Sequence, residues 1–176
     1  MSVGSLSGGS GIIDLNASGD TAKLQFGSAG SDTTFSGNIE MEAMTGISKE
    51  GAGITELSGA ISGGGTVTAS GGTLKLSGVN TYTGTTQVAG GTLEVTGGQA
   101  IADTGAVVVS NGATFLVSVN EEIIGSLESE DTDPATCTAV VQNDGGLVIL
   151  GSADTTFAGD IAGAGQLSVG QLSVGG

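Results

Sequence analysis

Apolar and polar residues alternate in short bursts along this chain, and glycine separates the bursts. Leu74 and Leu76 flank Lys75 in GTLKL (72–76), Leu93 and Val95 flank Glu94 in GTLEV (91–95), and Val107 and Val109 recur in GAVVV (105–109). GQLSV is written twice in succession, at 165–169 and 170–174. A period of two over about five residues predicts strands with one buried face, their Thr, Lys, Glu and Ser turned outward. Gly or Asn-Gly at the ends of each unit supplies the turns. No apolar stripe at helical spacing is sustained. MEAMTGISKE (41–50) is the best helix candidate, and Gly46 interrupts it.

A longer repeat lies over the short one. Val3-Gly4-Ser5-Leu6 returns as Ile124-Gly125-Ser126-Leu127, an offset of 121 residues, and TTFSGNI (33–39) returns as TTFAGDI (155–161), an offset of 122. Residues 3–39 thus resemble 124–161, and 1–176 reads as a single domain containing this internal repeat. Short strands that restate one another cannot bury a face alone. Stacked as coils about 4.8 Å apart, they build continuous ladders of Leu and Val. Antiparallel hairpins are the rival arrangement, with Asn111-Gly112 and Asp144-Gly145 as their turns. Repetition at two length scales favours the solenoid.

Composition sharpens this. Among 176 residues there are 35 Gly, one Pro, four Phe, one Tyr and no Trp, so the core must be aliphatic. Gly-X-Y periodicity is missing, which excludes collagen, and 38% hydrophobic residues supply enough apolar surface to argue against disorder. Eighteen acids face three lysines, Lys23, Lys49 and Lys75, with no Arg and no His, for a formal charge of −15. A nucleic-acid partner is excluded for want of cations to displace phosphate counterions. An anionic membrane surface is disfavoured for the same reason, and no apolar run reaches the roughly 20 residues of a spanning helix. Residues 1–10, MSVGSLSGGS, show no signal-peptide pattern. Cys137 is alone, so no disulfide framework is expected within the chain.

The phrase GTLKLSGVNTYTGTTQVAGGTLEV (72–95) resembles the passenger-associated repeat of bacterial autotransporters. Gly72, Leu74, Leu76, Asn80, Tyr82, Gly84, Gly91, Leu93 and Val95 carry the resemblance. GISKEGAGITELSG (46–59) resembles the segment that usually precedes that repeat, and TTFSGNI and TTFAGDI resemble its linking segments. The resemblance implies an all-β fold, a right-handed parallel β-helix (β-solenoid). It also implies display on the outer surface of a Gram-negative bacterium, or release from it. The membrane barrel that ends such proteins is missing from this chain.

Little in the sequence offers chemistry. Without imidazole, no Ser-His-Asp or Cys-His arrangement can form, and no enzyme activity is expected. Glu128, Glu130, Asp131 and Asp133 crowd into an acidic loop, 128–136, whose carboxylates make it a weak Ca²⁺ candidate; no other cofactor is expected. Within GGSGIIDLN (8–16), Asp14 stands one residue late for the Ca²⁺-binding nonapeptide of toxin β-rolls. The pairs Thr66/Thr68 and Thr81/Thr83 are too few for an ice-matching array. Asn80 is expected to satisfy turn backbone, and Tyr82 to cover a corner or stack on a neighbouring loop.

These readings converge on a structural protein of the cell exterior, with length and rigidity as its contribution. Residues after Asp160 carry no charge and remain strand-prone, so the expected partner is a second copy, stacked head to tail through uncapped ends into a fibre. A stalk within a surface protein is the other structural form. The alternative class is an adhesin that recognises a host or neighbouring-cell ligand through loops such as 126–137.

Overall fold

The computed structural model describes residues 1–16, 21–151 and 154–170. Among them there is no helix. Twenty short strands follow one another, beginning with β1 (Ser2–Val3), β2 (Ile12–Leu15), β3 (Lys23–Phe26), β4 (Thr33–Phe35), β5 (Asn38–Met41), β6 (Gly46–Lys49) and β7 (Ile54–Leu57). Next come β8 (Ile61–Gly63), β9 (Thr66–Ala69), β10 (Thr73–Leu76), β11 (Thr86–Val88), β12 (Thr92–Val95), β13 (Ala106–Val109) and β14 (Thr114–Val117). The last are β15 (Glu122–Ile124), β16 (Ser126–Ser129), β17 (Val140–Asn143), β18 (Gly146–Ile149), β19 (Asp160–Ala162) and β20 (Gln166–Val169).

Every strand pair is parallel, and consecutive strands lie in different sheets. The first wall runs β1-β3-β6-β9-β11-β13-β16 and the second β4-β7-β10-β12-β14-β17-β19. A third wall has two ladders, β2-β5-β8 and β15-β18-β20. The chain visits the walls in turn and makes a β-solenoid of about eight turns. Hairpins are absent from the described residues. Asn111-Gly112 joins β13 to β14, and Asp144-Gly145 joins β17 to β18, each a corner between walls.

Segment 41–50 is no helix. Met41 closes β5, a turn follows, and Gly46–Lys49 is β6, with all four residues buried between β3 and β9. Ile47 stacks on Leu24 and Val67, so period-two alternation and its neighbours on both sides decide the conformation.

The core is a set of columns parallel to the solenoid axis. Leu74 pairs with Leu93, and Leu76 with Val95, in the register that the repeated phrase suggests. Each buried aliphatic side chain contributes about 1.5–3 kcal/mol of hydrophobic stabilisation. Glycine fills the corners. Gly30, Gly53, Gly72 and Gly91, all at positive φ, stack where the first wall turns into the second. A side chain on any of the last three would meet the carbonyl of the glycine beneath.

The longer repeat does not occupy equivalent places. Thr33–Phe35 is β4 of the second wall, whereas Thr155–Phe157 runs beside the first wall, where Ser129 N–H donates to Thr156 O at 3.1 Å. Asn38–Met41 lies in the third wall and Asp160–Ala162 in the second. The two stretches share local strand-turn chemistry one wall out of phase.

Candidate functional site

The residues of the repeated phrase lie inside the solenoid. Leu74, Leu76, Leu93 and Val95 are buried, and Gly84 packs against the carbonyl of Gly65. Asn80 and Tyr82 sit in a part of the third wall where the regular ladder lapses between β8 and β15. The chain still tracks its neighbour there: Thr81 N–H donates to Ile61 O at 2.9 Å, and Thr83 N–H to Gly63 O at 2.8 Å. Alternation turns Asn80 and Tyr82 inward and Thr81 and Thr83 outward.

Two polar side chains complete the lapsed ladder. Asn80 Oδ1 accepts from Ile61 N–H at 2.8 Å, while its Nδ2 donates to Ala100 O at 2.7 Å. From the other side, Glu122 accepts Ala100 N–H at 3.3 Å and Ile101 N–H at 2.6 Å. Ala100 is therefore held from both neighbouring coils, and its small side chain leaves room for both clamps. Glu122 is 1% exposed. Burial lifts its carboxyl to about 7; the Ile101 and Ala100 N–H bonds oppose that rise and the nearby Asp103 charge adds to it. Tyr82 covers no corner. It is fully buried, and its hydroxyl lies 2.7 Å from Thr86 Oγ1. Burial pushes the phenol well above its usual value, against the pull of that hydrogen bond.

Lys49 is a third buried polar group. Its Nζ donates to the carbonyls of Glu50, Gly51 and Gly71 at 2.8, 3.0 and 3.1 Å, tying the first-to-second-wall corner of one coil to the next. Desolvation lowers its pKa, and the charges of Glu50 and Asp32 act against that. Its stem lies against Gly27, where a side chain would meet Lys49 Cδ and Cε. Neither Lys49 nor Glu122 emerged from the sequence reading. The signal was alternation: Lys49 follows Ile47 by two residues, and Glu122 precedes Ile124 by two, so each shares an inward face with an isoleucine.

The acidic loop is organised differently from the expectation. Glu128 belongs to β16 on its outward side, so the loop proper begins at Glu130. Asp131 folds the loop around itself, accepting Asp133 N–H at 3.0 Å, Thr136 Oγ1 at 2.8 Å and Asn111 Nδ2 at 3.1 Å. Those bonds, the Asp133 one foremost, hold its carboxyl below the usual range. Asp133 in turn accepts Ala135 N–H at 2.9 Å. Among the described residues no three of Asp, Glu, Cys and His come together around one point, and the four loop carboxylates are no exception. Cys137 is half-buried at the loop's end, against the core.

The two end coils show the most unusual surface. Ile161, Leu167 and Val169 continue the columns of Val141, Leu147 and Ile149, which are 0, 0 and 8% exposed. Yet Ile161, Leu167 and Val169 are 43, 42 and 59% exposed. Among the described residues β19 pairs only with β17, and β20 only with β18. At the opposite end β1 and β2 are likewise outermost, and Val3, Leu6, Ile13 and Leu15 are half-buried against the core. Among the described residues, the inward-facing apolar side chains of these outermost strands are thus half-buried or exposed. Comparison with protein-family models, with curated proteins and with solved structures finds no match.

Proposed function

We propose that this chain is a structural β-solenoid of the bacterial exterior that lengthens by stacking end to end, as a fibre or as the stalk of a surface protein. The observation that carries the reading is the unbroken stack of parallel strands, in which one column runs through Leu74, Leu93, Phe115, Val141 and Ile161 in successive coils. An edge strand with unpaired amides and exposed apolar side chains is a template for another strand. Placement on a Gram-negative surface rests on the resemblance of residues 72–95 to the autotransporter passenger repeat. A mechanical role is supported by three interior side chains, Asn80, Glu122 and Lys49, whose hydrogen bonds run to the backbone of neighbouring coils.

Sedimentation velocity and negative-stain electron microscopy across a concentration series test this reading. Filaments of uniform width that lengthen with concentration are expected. Rods of one coil stack at every concentration would overturn it.

A further inference from the structure

We infer that Asn111-Gly112 is a deamidation site gated by the acidic loop, and that conversion of Asn111 to a carboxylate unfastens that loop from the preceding coil. The site is independent of end-to-end stacking.

Corner length sets the geometry. From the first wall to the second the chain spends three residues at 70–72 and at 89–91, four at 110–113 and ten at 130–139. The longest of these reaches back over the corner one coil earlier and is clasped there by Asn111 and Gly112. Asn111 Oδ1 accepts Thr138 N–H at 2.8 Å, and its Nδ2 donates to Asp131 Oδ2 at 3.1 Å. Gly112 N–H donates to Thr138, to its Oγ1 at 3.0 Å and to its carbonyl at 3.2 Å. One amide side chain and one backbone amide thus hold both ends of the loop.

Asn111 is the one asparagine of the chain that precedes glycine. That order favours deamidation, because a glycine amide is unhindered when it attacks the neighbouring side chain. Gly112 N bonds to Asn111 Cγ, the Cγ–Nδ2 bond breaks, and the amide proton leaves with Nδ2 as ammonia. Water then opens the cyclic imide at either carbonyl, leaving aspartate or its backbone-extended isomer at this position. Space is no obstacle: both residues are exposed, and nothing lies within 4 Å of where a Gly112 side chain would stand. What stands in the way is the clasp. It engages the attacking N–H and both polar atoms of the side chain under attack, so ring closure waits for the loop to open.

The reaction works as a one-way latch. A carboxylate at this position has no donor for Asp131, and two negative charges then face each other across the space that the Nδ2 bond spanned. Acceptance from Thr138 N–H survives in the aspartate; the isomer lengthens the backbone as well and displaces the corner between β13 and β14. The loop already carries Glu130, Asp131 and Asp133 in a chain at −15, and it gains a further like charge at its clasp. Cys137, half-buried against the core, is next to Thr138 and loses cover as the loop lifts.

Peptide mass spectrometry at mildly alkaline pH follows the conversion of Asn111 in the native chain, in the urea-unfolded chain and in Asp131→Ala. Asp131 lies outside the strands, and circular dichroism verifies that its variant folds. The native chain should convert more than about tenfold more slowly than the unfolded one, and Asp131→Ala several times faster than the native chain. Thiol labelling of Cys137, the single cysteine, reads the loop: Asn111→Asp and the aged native protein should both label faster than the fresh one. A native rate equal to the unfolded rate, or an Asp131→Ala rate equal to the native, would overturn the gating. Asn111 intact in folded Asp131→Ala after the unfolded chain has converted would overturn the site itself. Equal labelling of Asn111→Asp and fresh native protein would overturn the release of the loop.

Discussion

Glu122 Oε1 and the amide of Ile101 meet at 2.6 Å across two coils, with the carboxylate fully enclosed. A charged acceptor in so dry a place is opposed by desolvation and kept by two backbone donors. Asp103 and Tyr82 are the other titratable groups coupled to it, and neither is a cation. Its protonation and the stability of the solenoid are therefore linked.

Between pH 4.5, the ordinary value for this carboxyl, and its raised value of about 7, the folded state keeps a proton that the unfolded chain has released. The contribution is fully present below about pH 4.5 and is lost as pH rises to about 7, about 3 kcal/mol in all. Urea midpoints should fall between pH 5 and 8 by more in the native chain than in Glu122→Gln, whose amide oxygen still accepts from Ile101. Equal slopes in the two proteins would show that Glu122 keeps its charge when buried.

Asn80→Leu removes an acceptor from Ile61 N–H and a donor from Ala100 O while keeping the volume. Two buried backbone groups are then unsatisfied, and a loss of about 2–4 kcal/mol is expected in equilibrium unfolding. Asn80→Asp keeps an acceptor for Ile61 N–H but buries a carboxylate against Ala100 O, so at neutral pH it should cost at least as much as Leu. A loss under about 0.5 kcal/mol for Leu would mean that the lapsed ladder closes by itself.

Lys49→Met keeps the stem against Gly27 and abandons three carbonyls. Thermal unfolding should show a destabilisation of about 1–3 kcal/mol, the range for hydrogen bonds to a charged group. Lys49→Arg should rescue it only in part, because a planar guanidinium does not reproduce the three directions in which the one ammonium donates.

Two glycines separate crowding from backbone conformation. Gly59 is pressed against the carbonyl of Gly37, so Gly59→Ala must push two coils apart. Gly112 has φ of 74° and nothing within 4 Å of an added Cβ, so Gly112→Ala meets only the left-handed conformation. The expected losses are more than about 3 kcal/mol for the first and about 1 kcal/mol for the second, read from urea midpoints. The reverse order would place the strain in the dihedral and not in the stacking.

How much of this was legible beforehand differs by residue. GTLKL and GTLEV declare their own pairing, because two strands with the same inward positions can only stack that way and keep both faces satisfied. The parallel solenoid, its aliphatic core and the buried Leu74, Leu76, Leu93 and Val95 follow from alternation and glycine spacing, which are local properties. The phase of the longer repeat did not follow. TTFSGNI and TTFAGDI encode the same strand and turn, and nothing local says which wall receives them.

What only the tertiary structure decided is where polar side chains replace backbone. Lys49 and Glu122 look like ordinary surface charges until the coils on either side are in place. Their partners, the carbonyl of Gly71 and the amides of Ala100 and Ile101, lie about one turn away along the solenoid. Alternation told which way each side chain points. Whether a charge pointing inward finds a backbone group in need depends on the neighbouring coils, on the lapsed third-wall ladder for Glu122 and on the corner carbonyls for Lys49, and a single strand contains neither.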